Sequence, residues 1–242
     1  MNEVEKKFNI LYSKIKISDS QTLSDFYNLK FEHWGFDLVF GEEKITPENY
    51  YKIESEYNMF SVTYISRDKK YYRCRYISST IAAVTLYIQF ARFHTKKVCI
   101  NKAFENKIKN TLSNGNIKEA ENIIIDEIGE GLICFEKKIP NRVSIFVNGY
   151  KESEPFIFLN SVPIWSLIPP DPNIQDIFIY SYRLGIDVKN YCLLMEEIKK
   201  IFPEIAEEDE VSFMYLYLTG SSYENNFYAL GKSKISKFNS PS

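Results

Sequence analysis

Histidine is nearly missing from this chain. His33 and His94 are the only two in 242 residues. Neither sits in a motif with Ser, Cys or Asp, so the base of a nucleophilic triad is not readable. Glycine is scarce as well, with 9 residues. Gly129 and Gly131 lead into a strand-like run and not a helix, so they form no phosphate-cradling loop. The four cysteines, Cys74, Cys99, Cys134 and Cys192, are far apart, with no CxxC pair and no Cys/His grouping. That spacing does not make a zinc site. Cys74 and Cys192 fall at predicted core positions and are expected as reduced, buried thiols. The sequence therefore assigns no catalytic residue, no metal ligand and no cofactor.

Charge of one sign is lacking too. Thirty basic residues face 32 acidic ones, for a formal charge of -2. A nucleic-acid binder is usually basic on one face, and no long basic run is present. No apolar run reaches the roughly 20 residues of a membrane span. Residues 1–16 are charged and amphipathic, without the apolar run and cleavage site of a signal peptide. These absences predict a cytoplasmic protein that binds neither nucleic acid nor membrane.

What is present is apolar and aromatic. Hydrophobic residues make up 45% of the chain and aromatics 16%, with 18 Tyr and 18 Phe against 2 Trp. That supports a sizeable core. The wealth of Tyr, Phe, Ile, Lys and Asn also matches the codon bias of an AT-rich genome. Tyr in addition suits interfaces, where one end of the ring is apolar and the other wet.

The chain is organised around residues 59–97. Phe60, Val62 and Tyr64 alternate with Ser61, Thr63 and Ile65, the period of a strand with one buried face. Ser66 to Lys69 is a polar turn. The return strand sets Tyr72, Cys74 and Tyr76 on one face and Tyr71, Arg73 and Arg75 on the other. Ser78, Ser79 or Thr80 can cap the helix that follows. From Ile81 to Phe93 this helix is apolar on nearly every side, which places it in the core.

Around that centre, Val4, Phe8, Leu11, Tyr12 and Ile15 predict an amphipathic first helix. A short helix is expected over 22–31 and a strand over 36–40. Tyr50, Tyr51 and Ile53 suggest an edge strand. Two further helices are predicted: 100–112, with a stripe of Ala103, Phe104, Ile108 and Leu112, and 117–128. Strands are predicted at 132–135, 142–147 and 155–159, with Asn148 and Gly149 as a hairpin turn. Residues 160–173 carry Pro163, Pro169, Pro170 and Pro172 and are expected as loop. A strand is predicted at 176–182 and a helix capped by Asp187 and stopped by Pro203. After an acidic turn at 207–210, a strand is predicted at 211–218, with a partner at 227–230. The resulting class is α+β, with a mixed, mainly antiparallel sheet or sheets and segregated helices. The expected division is 1–128 and 129–242, or one continuous domain.

Two surfaces are candidates for partner binding. The first is the Pro-rich loop, where Trp165, Leu167 and Ile168 are apolar in a segment expected at the surface. Packing of Trp165 back onto the core is the competing reading. The second is the outer face of the central hairpin, with Tyr71, Arg73 and Arg75. Glu42, Glu43, Glu54 and Glu56 with Lys69 and Lys70 would suit a nuclease metal site. They are better explained as charges of a solvated hairpin.

The order over residues 60–97 is strand, polar turn with Arg67, strand, small capping residues, then a helix with Leu86, Tyr87 and Ile88 before Arg92. In this it resembles immunity proteins of bacterial polymorphic-toxin systems, in particular the family paired with NAD-glycohydrolase toxins of the tuberculosis necrotizing toxin type. The resemblance implies an inhibitor that binds and occludes a cognate toxin in the cytoplasm, without catalysis of its own. The alternatives are an enzyme, a nuclease or hydrolase whose carboxylates converge only in three dimensions, and a dimeric adaptor.

Overall fold

The computed structural model describes residues 3–15, 27–32, 35–40, 49–56, 59–66, 69–76, 78–94, 98–135, 143–145, 157–159, 162–163 and 173–219. Six helices run through them: α1 (Glu3–Lys14), α2 (Ser79–His94), α3 (Lys102–Ser113), α4 (Ile117–Ile128), α5 (Ile174–Ile201) and α6 (Glu207–Thr219). Of the residues whose side chains are described, 78% are helical and 5% strand. The expected α+β class with mainly antiparallel sheets is thus corrected to a mostly helical one. The physical reason lies in two long apolar runs that alternate like strands and fold as helices. Residues 176–182 belong to α5, and residues 211–218 belong to α6.

The strands are placed chiefly by their backbone. β1 (Tyr27–Glu32), β2 (Gly35–Phe40), β3 (Asn49–Glu56), β4 (Met59–Ser66) and β5 (Lys69–Tyr76) form one antiparallel ladder in chain order. The helix expected over 22–31 is therefore replaced, from Tyr27 on, by β1. The strand expected at an edge, β3, is interior, between β2 and β4. A second ladder joins β6 (Ile133–Phe135), β7 (Val143–Ile145), β8 (Ile157–Leu159) and β9 (Val162–Pro163), with β6 and β7 parallel. Val162 and Pro163 thus extend a strand into a segment expected as loop. The hairpin residues Asn148 and Gly149 and the strand expected at 227–230 lie outside the described residues.

The chain divides into two units. The first comprises Met1–His94, Glu197–Asp209 and Ser222–Ser242. The second comprises Thr95–Glu196 and Glu210–Ser221, and Gly129 lies within it. In the first unit α2 is the core. Ala82, Ala83, Val84, Leu86, Tyr87, Ile88 and Ala91 are fully buried there. It meets α1 through Phe8, whose ring stands edge-on to Tyr87 at 5.9 Å and to Phe90 at 6.4 Å. It also lies against β4 and β5.

The second unit is built on α5. Asn101 caps α3 by accepting from the amides of Ala103 and Phe104. The amide of Asn101 donates to the Tyr182 hydroxyl of α5 at 3.1 Å. Ala103 is exposed, so the expected α3 stripe shifts to Glu105, Ile108 and Leu112. Glu105 is buried and pairs with Arg183 at 2.7 Å. The N-terminus of α5 is closed reciprocally, with Asn173 Oδ1 accepting from the Asp176 amide at 2.9 Å and Asp176 Oδ2 from the Asn173 amide at 3.4 Å. Asp187, expected as a cap, sits inside α5. Among the described residues no helix is long and apolar enough to cross a membrane.

Candidate partner-binding site

The first unit brings one of the two predicted surfaces onto a defined frame. Register in the β1–β5 ladder runs Lys30, Asp37, Lys52, Thr63, Arg73 across one row. The row two residues along is Glu32, Gly35, Glu54, Ser61, Arg75. Between them runs Phe31, Phe36, Ile53, Val62, Cys74. Successive residues of a strand take opposite faces. The pairing thus sorts polar and apolar rows onto two different faces. Tyr76, 3% exposed, belongs by alternation with the apolar face. Arg73 and Arg75 fall on the polar one.

Tyr71 does not keep that pattern simply. The register of β4 with β5 shifts between Tyr64 and Ile65, where Tyr72 and Lys70 are the successive partners and Tyr71 is passed over. A bulge of this kind interrupts the alternation. The expected trio is therefore a pair, Arg73 and Arg75, with Tyr71 at the irregularity. Trp165, Leu167 and Ile168 lie outside the described residues. So do His33, Glu42 and Glu43. Glu54 and Glu56 fall on β3 and Lys69 and Lys70 on β5, the strands on either side of β4.

Behind the ladder, a polar cluster fixes the start of α2. Lys7 Nζ donates to Ser79 Oγ and to Thr80 Oγ1, each at 2.8 Å. The Ser79 hydroxyl donates to Glu3 at 3.2 Å and the Thr80 hydroxyl to Glu204 at 3.1 Å. Ser78 Oγ accepts from the Ile81 amide at 3.4 Å. Ser79 and Thr80 are buried, at 6% and 3% exposure. Two carboxylates at a helix N-terminus also suit its dipole. The run Ser78–Ser79–Thr80 signals the cap in the sequence, but nothing there points to Lys7 across 72 residues. This cluster positions α2, and through it β4 and β5.

Among the described residues no group of three or more His, Cys, Asp or Glu could hold a metal ion. The described thiols differ sharply. Cys99 is exposed, while Cys134 and Cys192 are partly buried. Burial, then the carboxylates of Glu196 and Glu210, pushes the Cys192 thiol up to about 11. The thiolate is the reactive form. Iodoacetamide at about pH 8 should therefore label Cys99 well before Cys192, with the Cys192 rate climbing as pH rises towards its pKa. Peptide mapping by mass spectrometry reads this directly. Equal labelling of both at the lower pH would show that Cys192 is not held as described. Comparison with protein-family models, with curated proteins and with solved structures gives no match.

Proposed function

We propose that this chain acts by binding, as an immunity-type inhibitor that occludes a cognate bacterial toxin in the cytoplasm. The observation that carries the reading is the placement of Arg73 and Arg75. They lie on the polar face of β5, at the end of a ladder whose last two strands rest on the buried helix α2. Two arginines spaced to share one face of a strand are a common recognition element, because arginine binds carboxylates in a fixed fork. The order β4, β5, α2 is also the order on which the resemblance to immunity proteins rests.

The test is co-expression with the toxin encoded beside the gene. The expected result is rescued growth and a complex of fixed stoichiometry that withstands size-exclusion chromatography. Arg73→Glu with Arg75→Glu should lower affinity by about a hundredfold or more, since reversing charges at an interface costs several kcal/mol. For an NAD-glycohydrolase partner, NAD hydrolysis in vitro should stop on addition of the protein. Unrescued growth with no complex would sink the reading.

A further inference from the structure

We draw no further inference here: the strongest candidate, the side-chain cluster of Lys7, Ser79 and Thr80 at the N-terminus of α2, has its hydroxyls paired within the chain to Glu3 and Glu204, and nothing among the described residues there points to a ligand.

Discussion

Replacing Asn190 with leucine should lower the stability of the second unit by about 2–4 kcal/mol, moving its urea midpoint down by roughly 1–2 M. Asn190 is 2% exposed and lies on α5. Its side-chain amide pairs with both backbone groups of one residue. Oδ1 accepts from the Val98 amide at 2.8 Å, and Nδ2 donates to the Val98 carbonyl at 2.9 Å. The segment ahead of α3 is thus held as a strand neighbour would hold it. Leucine fills the same volume and leaves both Val98 groups without that partner, so the cost is the desolvation of two polar groups.

Asn190→Asp separates this account from a packing effect. The carboxylate keeps the acceptor for the Val98 amide but sets an anion against the Val98 carbonyl. Burial and that carbonyl raise its folded pKa above the ordinary value of about 3.9. The protonated form, which can donate as the amide does, is the stable one. Its contribution is intact below the unfolded pKa and is lost as pH rises through the folded one. The stability deficit of Asn190→Asp should therefore be small near pH 4 and large near pH 7, while that of Asn190→Leu stays nearly level. Parallel denaturation curves at the two pH values read this out. A deficit of Asn190→Asp that does not change with pH would refute the paired amide.

Periodicity in the sequence marks α1, α3 and α4 because one stripe of each is buried and the other faces water. Val4, Phe8, Leu11 and Ile15 are buried in the first case, and Ala120, Ile124 and Ile128 in the last. α2 is legible for the opposite reason, since a helix apolar all round has little else it can be. The same property hides the first turns of α5 and nearly all of α6. Ile177, Phe178 and Ile179 are buried in succession, Ser181 and Tyr182 follow after the half-buried Tyr180, and Tyr215, Leu216, Tyr217 and Leu218 are again buried in succession. Side chains buried on every side carry no period, and β-branched and aromatic residues tip such runs towards strand. The arbitrating signals are local. Asn173 and Asp176 form a reciprocal cap, and the acidic run 207–210 is the first turn of α6, where negative charge suits the helix dipole. Read as a turn, that run leads from a helix into a strand over 211–218; read as a helix start, it turns that strand into α6. Of the candidate site, the alternation of Arg73 and Arg75 with Cys74 is legible in the sequence. The bulge at Tyr71 is not, because a register shift depends on two strands at once.

The second large effect reverses an ordinary expectation. Gly185→Ala lies inside α5, where the change should stabilise a helix by about 1 kcal/mol. Here it should destabilise by about 1–2 kcal/mol instead, because overpacking a core costs about 1–3 kcal/mol. A Cβ at position 185 would lie 2.7 Å from Ile128 Cγ1 and 3.1 Å from its Cγ2. Those atoms stand at the branch of Ile128, next to the backbone, and rotation of a distant methyl does not remove them. Ile128 is 2% exposed and is the last residue of α4, held from behind by Gly129 at φ 116°. One turn further along α5, Lys189 Nζ donates to the Glu127 carbonyl at 2.9 Å, so the end of α4 has little room to withdraw. Removing the obstacle should restore the ordinary sign. Ile128→Ala alone should cost about 2–5 kcal/mol as a cavity. Gly185→Ala added to it should then be neutral or stabilising, since the new methyl enters the space vacated. The double-mutant cycle should show a favourable coupling of about 1–3 kcal/mol. Additive effects in the cycle would mean that α5 and α4 do not meet at this glycine.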